Sequence, residues 1–209
     1  MLPRSVYDAF NPLARARYWE YANGEFFGNG FDAWWCDCTE PLDADWRPMS
    51  EGYGWDSHEE RWKGNLALLD GVLGAERSSL FSLYHSKGLY ENQRATTDRK
   101  RVVNLTRSSY AGQQRYSTIT WNGDTHASWK SFAQQIPQGL NFMATGCPYW
   151  TVDIGSFFTR KGREWFRAGD FDAGVDDMGY REYYVRMLQY GAFLPLFRSH
   201  GTDTPREIW

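Results

Sequence analysis

Five short runs rich in β-branched and aromatic residues recur along this chain, separated by segments of helical periodicity. That alternation restricts the fold more than any other feature. Residues 31–37, 101–107, 117–124, 147–155 and 194–201 read as strands. Helices are expected over 11–22, where Pro12 suits a first helical turn, and over 78–94, where a Ser start precedes the stripe Leu80, Phe81, Leu83, Tyr84 and Leu89. Two more are expected over 128–145, with a kink before Pro137, and over 178–193. Residues 41–64 mix Pro, Gly and acidic residues with three Trp and show no period, which predicts a long loop. Strands alternating with helices at this spacing form right-handed βαβ units and a parallel sheet covered on both faces. No G-x-G-x-x-G frame follows any strand, so a doubly wound dinucleotide-binding sheet is the weaker reading. Part of an eight-stranded barrel is the better one, although a complete barrel needs roughly 250 residues and this chain has 209.

Charge and cysteine usage narrow the partners. Twenty-three Lys plus Arg against 26 Asp plus Glu give a net charge of −3, without the basic excess that a nucleic-acid surface requires. No apolar run approaches the roughly 18–20 residues that cross a bilayer, so no membrane partner is expected. A signal peptide would lie upstream of Met1, which leaves the compartment unassigned. Cys36, Cys38 and Cys147 make no disulfide framework, and Cys36-x-Cys38 lacks zinc-knuckle spacing, so the cysteines read as small apolar fillers and no metal is expected. Aromatic residues make up 18 % of the chain; most belong in a core, but flat rings with a polar handle also suit stacking on sugars.

The strand ends carry the chemistry. The expected strands finish at Asp37 (with Glu40 three residues on), Arg107, Asp124, Asp153 and Arg198 to His200, with Trp35, Trp121 and Trp150 beside three of them. In a barrel such ends converge on one mouth, where active sites are built. Two carboxyl groups at an aromatic-lined mouth are the equipment of glycoside hydrolysis, one ionised and one holding its proton for the leaving oxygen. Arg107, expected beside Asp37, favours the ionised form of that acid, whereas an aromatic wall behind the Trp121-Asn-Gly-Asp124 turn favours the protonated form of Asp124. This makes Asp37 the candidate nucleophile and Asp124 the candidate acid/base.

The segment Phe31-Asp-Ala-Trp-Trp-Cys-Asp-Cys-Thr-Glu-Pro41 resembles the nucleophile strand of glycoside hydrolase family 31, whose pattern is Trp-x-Asp-x-x-Glu. Thr106–Tyr116, Trp121-Asn-Gly-Asp124, Pro148–Gly155 and Gly191–His200 resemble that family's later blocks, in the same order. The resemblance implies a retaining α-glycosidase on a (β/α)8 TIM barrel, of which this α/β chain would be the incomplete C-terminal part, about five βα units. Asp37 would be the nucleophile and Asp124 the general acid/base. Arg107 and His200 would bind sugar hydroxyls, Trp35, Trp121 and Phe157 would wall the subsite, Asp153 would be a supporting carboxylate near Arg107, and Glu40 a structural acid. No metal and no organic cofactor would be needed. The double Trp and the Thr-Glu-Pro that follows look most like the α-xylosidase-type members, which act on xyloglucan oligosaccharides; an α-glucosidase or transglycosylase acting on glucan-derived chains is the alternative within the family.

Two departures from the family pattern stand out. The chain opens at what should be the helix before the fourth strand, so residues 1–209 would be a partial catalytic barrel. Its early strands, with a glycone-binding carboxylate and a Trp, and the flanking β-sandwich domains would be absent. The remainder of the same polypeptide would then be needed to close the barrel. Ser156 also stands where the family usually has Gly. A non-catalytic carbohydrate-binding remnant would keep the aromatics but have no use for both Asp37 and Asp124, and a plain α/β domain would leave the five ordered blocks unexplained.

Overall fold

Capping chemistry sets the helix boundaries. In the computed structural model, which describes residues 7–40, 58–162 and 166–206, helix α1 (Pro12–Glu25) begins where the Asn11 side chain accepts the Leu13 N–H at 2.9 Å, with Pro12 in the first turn. Ser128 caps α5 (Trp129–Ala144) by accepting the Ser131 N–H, and Asp177 caps α6 (Met178–Gly191) by accepting that of Gly179. Between α1 and α5 lie β1 (Trp34–Cys36), α2 (His58–Leu73), the short α3 (Ala75–Ser78), α4 (Phe81–Thr96), β2 (Asn104–Thr106) and β3 (Thr118–Trp121); β4 (Trp150–Thr151) follows α5. The strand order is β1-β2-β3-β4, with Trp34 to Cys36 facing Asn104 to Thr106 and Thr120 and Trp121 facing Trp150 and Thr151, both pairs parallel.

The α/β alternation therefore stands, with corrections in extent. Each strand is shorter than its apolar run, because ladder pairing stops where the chain turns outward to carry polar residues; Gly123, at φ +78°, bends the chain just past β3. The expected fifth strand over 194–201 is reduced to one parallel bridge, Ile154 with Ser199. Of the loop expected over 41–64, residues 41–57 lie outside the described residues, and from His58 onward the chain is α2. Helix α5 runs through Pro137, as its expected span over 128–145 requires.

Two compact units divide the chain, Met1–Ile119 and Thr120–Trp209. In the first, α1 packs on α4 so closely that a Cβ on Gly88 would sit 2.8 Å from the Arg15 side chain. Trp19, Ala22, Cys36 and Leu89 form its core, with Phe27 and Trp34 against them. The two indoles there are satisfied, Trp34 donating to Gln93 at 2.8 Å and Trp19 to Thr96 at 3.0 Å. In the second unit Trp150, Val152, Ile154, Phe171, Tyr180, Tyr183 and Met187 form the core.

Gly139 lets α5 approach β4. A Cβ there would lie 2.8 Å from Trp150 Nε1, 2.9 Å from Trp150 Cδ1 and 3.2 Å from the Tyr190 hydroxyl. Alanine in a helix interior normally gains about 1 kcal/mol over glycine, yet overpacking against a buried indole costs about 1–3 kcal/mol. Gly139→Ala is accordingly expected to lower the urea midpoint of the protein. A raised midpoint would mean that Trp150 yields freely.

Candidate active site

The residues singled out from the sequence fall into both units, and each group is organised within its own. In the first unit, strand alternation sorts the double Trp. Trp34 turns to the helices and packs on Trp19 and Phe27, while Trp35, one residue on, is 55 % exposed on the other face. The same period of two puts Asp37 on the face of Trp35. One residue past each strand, the β1/β2 register brings Asp37 beside Arg107, as the sequence predicts.

Arg107 is the hub of this group. Its Nη1 lies 3.2 Å from Asp37 Oδ1, its Nε donates to Glu40 Oε1 at 2.6 Å with Nη2 2.5 Å from the same oxygen, and Nη2 donates to the Cys38 sulfur at 3.0 Å. Arg107 and Glu40 are 14 % and 13 % exposed at the side chain, Asp37 41 %. Burial alone would make the guanidinium less basic; Glu40, Cys38 and Asp37 together outweigh burial and hold it more firmly protonated. Asp37 Oδ1 also accepts the Cys38 N–H at 2.8 Å. Both of these contacts use Oδ1. Cys38 departs from the apolar-filler expectation. It sits at φ +52°, its sulfur accepts from Arg107, and burial pushes its thiol up to about 11.

A buried hydroxyl and amide network fixes the loop after β2. Thr39 meets Thr106 at 2.6 Å and Ser108 at 2.7 Å, Ser82 donates to the Ser108 carbonyl, and Gln113 donates to Ser82 and Ser86. Glu40 and Arg107 each directly follow a member of this network, so their ion pair rests on a rigid base.

In the second unit, Trp121 closes β3, and Asp124 follows the Asn-Gly turn into an exposed position. Trp121 is 2 % exposed and carries the Arg198 guanidinium over its ring at 5.4 Å. Asp153, two residues past β4, is completely buried, and the cation bonded to its Oδ1 is Arg198. The family resemblance implies Asp153 near Arg107 and assigns Arg198, at the fifth strand end, no role; the structure pairs Asp153 with Arg198. The pair forms because Ile154 bridges to Ser199, a contact 45 positions apart that no local pattern reveals. Asn122 also went unnoticed; both ends of its amide are buried without a hydrogen-bond partner in the turn that carries Asp124.

The expected wall residues Phe157 and His200 are neighbours, with ring centroids 5.5 Å apart. Their segment hangs on two backbone features. Gly155 and Ser156 both adopt positive φ, +92° and +58°. A left-handed conformation such as that at 156 favours glycine. Here Ser156 offsets the strain by a 2.7 Å hydrogen bond with the buried Tyr183 hydroxyl. Arg206 then clamps the loop by donating to the Ser156 carbonyl at 2.6 Å and to Thr159 at 3.0 Å.

The profile of the glycosyl hydrolases family 31 TIM-barrel domain matches residues 3–209. This chain belongs to glycoside hydrolase family 31. It is 37 % identical over 204 residues to an α-xylosidase of Saccharolobus solfataricus, a match spanning 96 % of this chain and 24 % of that protein. To an α-glucosidase of the same organism it is 28 % identical over 215 residues, spanning 96 % of this chain and 29 % of the relative. The crystal structure of the family 31 α-xylosidase from Xanthomonas citri superimposes with a TM-score of 0.74 at 33 % identity, covering 98 % of this chain and 20 % of that one. The fold is accordingly that of the family's TIM-barrel domain, and the chain spans about a quarter of the length of these relatives.

Proposed function

We propose that this chain is the catalytic portion of a retaining α-glycosidase that removes terminal α-xylosyl residues from xyloglucan-derived oligosaccharides. In the scheme, an Asp37 carboxylate oxygen attacks the anomeric carbon. The glycosidic C–O bond breaks, and Asp124 delivers its proton to the leaving oxygen. Water then attacks the covalent intermediate, losing its proton to Asp124 and releasing Asp37. The scheme asks of the protein an anchored nucleophile, a protonated acid and hydroxyl-binding groups, and no step uses a metal or organic cofactor. Arg107 and His200 would bind sugar hydroxyls, Trp35, Trp121 and Phe157 would line the subsite, and Glu40 would hold Arg107.

The observation that carries the reading is the anchoring of Asp37. Its Oδ1 is held by an N–H and a guanidinium, which fixes the carboxylate at the end of β1 as a nucleophile requires, and it occurs in a chain of this family. Higher identity to the α-xylosidase than to the α-glucosidase of the same organism supports xylose over glucose. The α-glucosidase or transglycosylase reading differs by one hydroxymethyl group in the substrate, and exclusion of such a group is expected to separate aryl α-xyloside from aryl α-glucoside by roughly 10–200-fold in kcat/KM. Residues 1–209 are read as part of one barrel domain closed by the rest of the same polypeptide, which the quarter-length match supports.

Proton NMR of the first turnovers tests the mechanism. The intact protein is expected to release α-xylose before mutarotation. Initial β-xylose would overturn retention, and no turnover of any α-glycoside would leave the carbohydrate-binding reading in its place.

A further inference from the structure

Phe157 and His200 lie side by side because two irregular segments are held together. The loop after β4 runs alongside residues 198–206. The Ile154 N–H donates to the Arg198 carbonyl at 3.3 Å, the Ser199 hydroxyl to the Ile154 carbonyl at 3.0 Å, and the Thr202 N–H to the Phe157 carbonyl at 3.0 Å. So few backbone contacts leave both rings on chain that belongs to no regular strand. Gly155 and Ser156 are left-handed as well, a conformation that costs a residue with a Cβ. Placement of the rings has to come from side chains.

Arg206 supplies it. Its Nη2 donates to the Ser156 carbonyl at 2.6 Å and to Thr159 Oγ1 at 3.0 Å, and its Nη1 to the Thr204 carbonyl at 2.6 Å. One planar group thus ties the chain on both sides of Phe157 to the segment that carries His200. The fit is close: a Cβ on Gly201, the residue after His200, would meet Arg206 Nη2 and lie 2.8 Å from the Ser156 carbonyl oxygen. Helix α6 fixes the clamp in turn. Tyr184 donates to the Arg206 carbonyl at 2.8 Å, the guanidinium lies over the Tyr180 ring at 5.7 Å, and the Tyr180 hydroxyl donates to the Gly155 carbonyl at 3.1 Å. The other side of the loop is pinned without Arg206, since the N–H groups of Phe157 and Phe158 donate to the Thr125 carbonyl at 2.9 and 3.0 Å. Loss of the arginine would therefore free the His200 side and leave the connection carrying Asp124 in place.

We infer that Arg206 is a positioning residue for substrate binding: by locking the Phe157 loop to the His200 segment it sets the spacing of the two side chains that face the sugar. This rests on the reading of Phe157 and His200 as parts of the sugar subsite. Arg206 itself touches no substrate, so its removal weakens binding of the ground state and the transition state alike.

The test is steady-state kinetics of the full-length protein on aryl α-xyloside. Arg206→Met is expected to raise KM about tenfold with kcat within about threefold of wild type. Phe157→Ala is expected to raise KM by a similar factor. Arg206→Met/Phe157→Ala should exceed the larger single effect by no more than about twofold, because the clamp acts through the ring. A merely structural arginine would lower Tm and kcat and leave KM alone; that result, or single effects that multiply in the double variant, overturns the inference. If Arg206→Met does not fold, Arg206→Lys decides, since an ammonium keeps the charge but not the planar fork. A raised KM with kcat kept then supports the inference, and an unchanged KM ends it. The subsite reading fails separately. If neither Phe157→Ala nor His200→Ala alters KM, the two rings do not face the sugar and the inference falls with that reading; if both raise KM while the Arg206 variants are silent, the inference alone fails.

Discussion

Asp37→Ala in the intact protein is expected to abolish turnover of aryl α-xyloside, by about 10⁴-fold or more in kcat, while leaving stability within about 1 kcal/mol of wild type. The two halves of this expectation have separate causes. Asp37 is 41 % exposed and shares Arg107 with Glu40, which makes the closer contact, so truncation leaves the guanidinium paired and no buried charge stranded. A nucleophile has no ready substitute, because neighbouring Glu40 is held by Arg107 and burial pushes the Cys38 thiol up to about 11. Azide, small enough to enter the space vacated by the carboxylate, is expected to restore turnover and to yield the β-xylosyl azide, with configuration inverted. A variant that keeps activity without azide, or an azide product of retained configuration, would remove Asp37 from the role of nucleophile.

Arg107→Met is expected to act on both stability and chemistry. Glu40 is buried against the guanidinium through Oε1, and its Oε2 is buried without a hydrogen-bond partner. Removing the cation strands a carboxylate in a poorly solvated place, at a cost of about 3 kcal/mol. Asp37 loses its only cationic partner among the described residues at the same stroke, and with it the support for the ionised form. The predicted outcome is a drop of several degrees in Tm together with a loss of activity of at least about 10²-fold. Arg107→Lys keeps a charge but not the fork that serves Glu40 and Asp37 from different nitrogens. It is expected to recover part of the stability and little of the activity. Arg107→Met/Glu40→Gln is the check on the cause: removal of the stranded charge should return most of the lost stability, and failure to do so would mean that the arginine acts by packing.

The double Trp shows how far a sequence carries such conclusions. A period of two says that Trp34 and Trp35 face opposite ways, but which of them is buried depends on Trp19 of α1, Phe27 just after it and Gln93 of α4 lying on one side. Asp37 beside Arg107 was readable, because both sit one residue beyond strands whose register is direct. Asp153 beside Arg198 was not. The strand expected over 194–201 suggested that Arg198 lay near the other strand ends, yet only the Ile154–Ser199 bridge assigns it to Asp153 and lays it over Trp121. Helix α2 was missed for a related reason: its sequence, HEERWKGNLALLDGVL, follows a Pro- and Gly-rich stretch with no clear start signal.

The linear chain alone determined the alternation of strands and helices, the order of the polar strand ends, and membership in the family. All of these depend on contacts within a few residues or on patterns repeated along one element. The tertiary structure alone decided how each ionisable group is partnered: Arg107 gripping Glu40 more tightly than Asp37, Asp153 sealed away with Arg198, Trp121 covered rather than open. The physical reason is that charge is stabilised by whatever lies within a few ångströms in space, and folding brings together groups separated by 45 to 70 positions along the chain.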